Sequence, residues 1–336
     1  MSSFGNLSQE PTPLRAVDQV RVLVLIDNVS DQLSTNPDGV LSEYDCLLQA
    51  GMTALGGDTI CCPHFGLSLS ITTQIDGKPH TVLFDGGPEG EVLERNARLL
   101  GVDFGAFESV VLSHGHFDHA AGLPRALQLI QSNRGHNVPL WVHPEMFRPR
   151  GDQLPDGNVI PNKDIPGIEA LTLKGAEVVC TRDAQLLLED TFYISGEIFR
   201  VTTYEKGLPG HMRRTEDELA WEPDPLIPDE RFLAVKVREK GVVVFTACSH
   251  AGVVNVLEHA SAVFPNTPLY AVMGGLHLSG AGPEKIISET VRDLKSFGLK
   301  IIVPAHCTGW RAVTELVNTF GEHMVIPSAV GKLFTF

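Results

Sequence analysis

Hydrophobic and polar positions along the chain follow two alternating patterns. Short apolar runs rich in β-branched residues, at 20–26, 69–75, 80–84, 109–112 and 139–143, predict buried strands. Stretches with apolar residues three and four apart, at 89–100, 123–130, 253–264, 284–297 and 310–320, predict helices. Asp76-Gly77 joins two of the strands as a hairpin, and Gly101 is a helix stop. Shorter runs at 177–180, 184–188, 191–195 and 199–203 read as a meander. Residues 232–237 and 242–245 form a second hairpin about Lys240-Gly241, and 269–273 and 299–303 are further strands. Strands alternating with helices imply a layered α/β fold.

Other stretches break the pattern. Pro11 and Pro13 sit in a loose polar stretch, so residues 1–18 are expected to be a flexible tail and 19–336 a single domain. Residues 29–58 are turn-rich, with Asn36-Pro37-Asp38-Gly39 the clearest turn and a short helix within 43–54; the segment reads equally as a flap or a plain surface excursion. Residues 144–170 and 205–229 are rich in Pro, Gly and charge. They are read as long loop insertions that shape a pocket.

Composition narrows the classes of function. The 336 residues are 43% hydrophobic, enough for a large core, and the net charge is −15. Such an acidic chain lacks the basic footprint of nucleic-acid binding, so a small-molecule substrate is expected. Six cysteines in a chain this long do not make a disulfide framework; Cys61 and Cys62 are read as buried thiols. No secretory signal and no apolar run of membrane-spanning length is visible, which points to the cytoplasm. Oligomeric state is not legible.

The candidate chemistry sits at strand ends. Ser113-His114-Gly115-His116-Phe117-Asp118-His119-Ala120-Ala121-Gly122 places three imidazoles and a carboxylate within six positions, after a strand and before a helix. A core would have to desolvate and pair every one of these groups, whereas a zinc, iron or manganese ion uses them as ligands. Three more histidines, His250, His277 and His306, follow other strands. Strand ends of an α/β sheet converge on one face. Two ions with about three protein ligands each are therefore matched by His114, His116 and His250 for one, and Asp118, His119 and His306 for the other. Asp118 could also take a proton, and His277 is read either as a group that holds substrate and stabilises negative charge or as a support for the ligands. Asp85, before Gly86-Gly87, is a turn former or an acceptor that orients a ligand histidine. His143 is read as structural. Arg213 and Arg214 either grip an anion or form a solvated pair.

These motifs resemble the metallo-β-lactamase fold superfamily. His114 to His119 match its His-x-His-x-Asp-His signature, and Phe84-Asp85-Gly86-Gly87 is similar to its aspartate loop. His-Phe-Gly-Leu-Ser at 64, Thr-Ala-Cys-Ser-His-Ala-Gly at 246, Gly-Gly-Leu-His-Leu at 274 and Pro-Ala-His-Cys-Thr-Gly at 304 resemble the dihydropterin-synthase-like branch, which includes archaeal enzymes making a ribofuranosyl-aminobenzene phosphate pterin adduct. The resemblance implies a four-layer αββα sandwich with the metal site at one edge. It implies a hydrolase that uses metal-activated water on an ester, lactone or phosphoester, with two Zn2+ as the expected ions and Mn2+ or Fe as alternatives. A pterin-adduct transferase and a non-catalytic metal-containing binding protein are the rival readings. One departure stands out: where many members carry a bridging aspartate, this chain has Ala247-Cys248. Cys248 is either a ligand or a small buried residue. His211, in Pro-Gly-His, competes for the last position on the first ion.

Overall fold

The computed structural model of the chain describes residues 13–336. Two sheets lie face to face. The first has eight strands, in the order Val40–Leu41, Leu333–Thr335, Gln19–Ile26, Ser68–Ile75, Lys78–Phe84, Phe107–Val111, Val138–Val142 and Ala176–Cys180. Its early strands pair antiparallel; from Lys78–Phe84 onward the pairing is parallel. The second has six strands, Gln185–Leu187, Phe192–Ile194, Leu233–Val237, Gly241–Thr246, Leu269–Gly275 and Ile301–Ala305, the last three parallel.

One apolar cluster fills the space between the sheets, with Val22, Ile71 and Val82 from the first meeting Val235, Phe245 and Met273 from the second. The outer face of the first sheet is covered by helices Gly90–Leu99 and Leu123–Arg134. That of the second is covered by Val253–Val263, Ile287–Leu294 and Trp310–Phe320. The result is the expected four-layer αββα sandwich. Strands buried on both faces carry continuous apolar runs, which is why the pattern located them well.

Several expectations need correction. Residues 1–12 of the expected tail lie outside the described residues, but Leu14 and Val17 of residues 13–18 are buried, and Val17 bridges to Val237. The packed domain thus begins before residue 19. Residues 199–203 form no strand; Phe199 instead stacks on His259 at 4.6 Å between ring centroids. The final strand, Leu333–Thr335, was hidden by its shortness. Cys61 is buried as expected, but Cys62 is exposed.

The two polar insertions are more than loops. Arg150–Gln153 and Val159–Pro161 from the first pair with His211–Arg214 and Trp221–Pro223 from the second in a small four-stranded antiparallel sheet. Its strands are too short and polar to show a period of two. What holds them is partly electrostatic: buried Arg150 pairs with buried Asp229, and Asp229 also accepts from the Gly115 amide at 2.9 Å. Among the described residues no helix is long and apolar enough to cross a membrane.

Candidate metal centre

Five loops leave the same edge of the two sheets and converge. Those after Phe84, Val111, Thr246, Gly275 and Ala305 carry Asp85, His114 to His119, His250, His277 and His306 in turn. The backbone is forced there. Asp85, Ser249, His277 and His306 all have positive φ, between 45° and 62°. Non-glycine residues adopt this region at a cost of order 1–3 kcal/mol, and such outliers gather at functional sites. Gly274 is required outright: a Cβ there would stand 1.5 Å from the Thr246 carbonyl oxygen of the neighbouring strand.

The side chains group as the spacing predicts. His114 Nε2 lies 3.0 Å from His116 Nδ1 and 3.2 Å from His250 Nε2. Asp118 Oδ2 lies 3.3 Å from His306 Nε2 and 3.8 Å from His119 Nε2. Cys248 Sγ is 3.3 Å from His119 Nε2, within reach of both groups, and it shares ligand-sized spacing with His114 and His250 on one side and His119 and His306 on the other. His211 is also present, its Nε2 3.1 Å from the Nε2 of His116. His143 stands apart, buried and facing Glu197 at 3.3 Å. Arg213 pairs with Glu222 and Glu145 and so is not free to grip an anion, while Arg214 stacks over Trp221.

This donor set fits a metal. Ligand atoms at ~2.0–2.3 Å from one tetrahedral ion stand ~3.3–3.7 Å apart, close to the spacing of these nitrogens and sulfur. His306 Nε2 is buried and makes no well-aligned hydrogen bond, with Asp118 Oδ2, itself a candidate ligand, 3.3 Å away. Burial, with the charge of neighbouring rings, pushes His114, His116 and His250 well below the usual imidazole range, so they are neutral and ready as ligands. Burial opposes charge on His119 too, but Asp118 and Asp85 outweigh it and raise that ring to about 9. Burial also works against the Asp118 carboxylate, which His119 and His306 nonetheless hold ionised. A cation bound there would take the place of the proton on His119, because only the neutral ring can act as a ligand. Burial, with Cys307 at 3.4 Å, raises the Cys248 thiol, so a cation would have to displace its proton.

A shell of partners fixes the rings. Asp85 Oδ2 meets His119 Nδ1 at 2.7 Å and accepts from Ser113 Oγ at 2.7 Å. Ser113 Oγ in turn meets His114 Nδ1 at 2.9 Å. Asn28 Oδ1 meets His306 Nδ1 at 2.9 Å, and the Asp224 carbonyl meets His211 Nδ1 at 2.9 Å. Asp27 accepts from the His306 amide, and Glu230 from the amides of His250 and Ala251. Asp85 therefore orients a ring. Asn28, Ser113, Asp229 and Glu230 escaped the sequence reading. Only Asp27-Asn28, polar residues at a strand end, gave a signal.

The cluster floors a cavity of about 250 Å³. Phe65, Phe117 and Phe147 line it, together with Arg150, Ile165 and Leu208 from the two insertions. Its mouth is thus built largely by segments outside the two main sheets.

Comparison with known proteins agrees with this architecture. A family model described as the metallo-beta-lactamase superfamily matches residues 73–212. A 7,8-dihydropterin-6-methyl-4-(beta-D-ribofuranosyl)-aminobenzene-5'-phosphate synthase of Methanocaldococcus jannaschii is 29% identical over 81% of this chain and 90% of its own length. An uncharacterized protein of the same archaeon, MJ0448, is 30% identical over 71% of this chain and 84% of its own. Among solved structures, Tm1679, described as a metal-dependent hydrolase of the beta-lactamase superfamily, superposes with a TM-score of 0.66 at 21% identity, covering 94% of this chain and 98% of that one. The metallo-beta-lactamase fold protein YhfI from Bacillus subtilis gives 0.51 at 13% identity, covering 95% and 100%. The fold, the convergent strand ends and the sequence relatives lead to one conclusion: the chain belongs to the metallo-beta-lactamase superfamily.

Proposed function

We propose that the protein is a metal-dependent hydrolase of a small ester, lactone or phosphoester. The observation that carries this is the convergence of His114, His116 and His250 beside Asp118, His119 and His306, at distances suited to shared ions. Two zinc ions are the proposed occupants, with manganese or iron as alternatives. His114, His116 and His250 would hold one, and His211 and Cys248 stand next to that set. Asp118, His119 and His306 would hold the other. Ions bound there would supply a water made nucleophilic near neutral pH and a Lewis acid for the scissile bond.

The chain's own residues do the rest. Asp118, kept ionised, is placed to accept a proton at Oδ2. Asp85 fixes the His119 ring through Nδ1. Phe65, Phe117 and Ile165 exclude water from the mouth and favour a partly apolar substrate. Elemental analysis of purified protein, with a panel of lactones, esters and phosphodiesters, tests the reading. About two equivalents of metal and turnover abolished by His116→Ala are expected; absence of stoichiometric metal would end it.

A second reading rests on the synthase of Methanocaldococcus jannaschii, which aligns along most of both chains. In that case the same centre would serve formation of a pterin adduct. Incubation with the synthase's substrates, followed by mass spectrometry, separates the two.

A further inference from the structure

A second cavity, of about 370 Å³, shares His250 and His277 with the first, so the two imidazoles form a partition between them. Its walls include Tyr204, Leu276, Leu278 and Ile286. Lys206 and Lys285 also line it; both are exposed, and neither has a carboxylate partner among the described residues. Glu205, the carboxylate in the same wall, is fully engaged: it accepts from the amides of Val254 at 2.9 Å and Asn255 at 3.0 Å and from Thr202 Oγ1 at 3.1 Å. In a chain of net charge −15, this is an apolar chamber with a cationic entrance.

One ring of the partition, His250, lacks a partner on its outer nitrogen. The Nδ1 atoms of His114, His119, His211 and His306 each meet an oxygen of the protein. His250 Nδ1 meets none although it is buried, whereas His277 has no oxygen partner but stands within ligand spacing of Cys248 and Cys307, on the side of the first cavity. A metal-holding histidine ordinarily gives its other N–H to an acceptor that fixes the ring. Leaving a buried donor unpaired forfeits the hydrogen bond it would make with water.

We propose that the second cavity binds a small organic acid. Its apolar body would lie between Tyr204 and Leu278, and a carboxylate or phosphate oxygen would accept from His250 Nδ1. Lys206 and Lys285 supply the positive field that draws the anion in. The occupant would thereby complete the support of a ring of the metal centre, so acid and metal must strengthen each other's binding reciprocally. The inference rests on the metal centre proposed above but needs no turnover, so its failure is distinct from failure of the hydrolase reading.

Phenyl phosphate and benzoate, titrated calorimetrically into the metal-loaded full chain, test it. A Cβ at Gly282, which lines the chamber, meets nothing within 4 Å, so Gly282→Trp adds bulk at the edge of the chamber without a backbone clash. That variant, and the surface pair Lys206→Glu with Lys285→Glu, should each weaken the tighter probe about tenfold or more, the loss of a charge-assisted contact. Ile165→Trp, which narrows only the first cavity, should change it by less than about twofold. Saturating probe should also slow loss of zinc to a chelator about fivefold in the unmodified chain and not in Gly282→Trp. The headgroup of the tighter probe separates phosphate from carboxylate. Affinity unchanged in Gly282→Trp and the lysine variant, or lost only in Ile165→Trp, would place the acid at the first cavity and overturn the proposal.

Discussion

His114 and His250 are 136 residues apart in sequence, yet their Nε2 atoms face each other at 3.2 Å across the seam between the two sheets. Neither half of the chain can therefore assemble the centre alone. His250→Ala should lower bound metal from about two equivalents towards one while leaving the fold intact, because each proposed ion draws on about three protein ligands. Elemental analysis beside far-ultraviolet circular dichroism reads both quantities.

Asp85 touches no proposed ion position directly. It holds Ser113 by backbone and side chain, and His119 by Nδ1, with every contact at 2.7 Å. Asp85→Ala is expected to weaken metal binding about 10- to 100-fold, the usual effect of removing such a support. Competition with a chromogenic chelator measures it. An affinity equal to that of the unmodified chain would remove Asp85 from the proposed role.

Cys248 occupies the position where a bridging carboxylate was looked for, and its sulfur lies within ligand spacing of both histidine groups. With cobalt replacing the native metal, the protein should show a sulfur-to-cobalt charge-transfer band in the near ultraviolet. Cys248→Ser should abolish the band, and Cys307→Ser should retain it. A band that survives Cys248→Ser would make Cys248 merely a small buried residue.

His259 offers a test far from the metal. Burial pushes its ring down to about 4, against ~6.5 in an unfolded chain. Between those values the unfolded chain binds more protons. Stability from this group is therefore complete above about pH 6.5 and falls as pH drops towards 4, by up to ~3 kcal/mol. Urea titrations at pH 7 and pH 4.5 should show the loss, and His259→Phe should reduce it, with Phe199 still available for stacking.

Phe245 is fully buried where the two sheets meet. Phe245→Ala should cost about 3–5 kcal/mol through lost burial and the cavity left behind. A shift of the urea midpoint without change of slope would be the expected signature.

Much of the scaffold was legible because the parallel strands are buried on both faces and appear as unbroken apolar runs. The metal loop was legible because His114 to His119 concentrate donors that a core would reject. His250 and His306 followed from their places at strand ends. The supports were not legible. Asn28, Ser113 and Glu230 are ordinary polar residues whose roles arise only from tertiary proximity. The small sheet was missed for a related reason: four strands of three or four residues hold together through Arg150, Asp229 and pairings between distant segments, none of which leaves a period.

That small sheet also divides the work of the molecule. The six residues of the two proposed ligand sets lie on loops of the main sandwich, whereas Arg150, Ile165 and Leu208 reach the mouth from the insertions. The lining can therefore be rewritten while those six residues stay in place, and substrate choice can drift without dismantling the reactive core. His211 is the exception. It lies on the inserted sheet and faces His116, so a remodelled insertion would be sensed at the centre through this one ring.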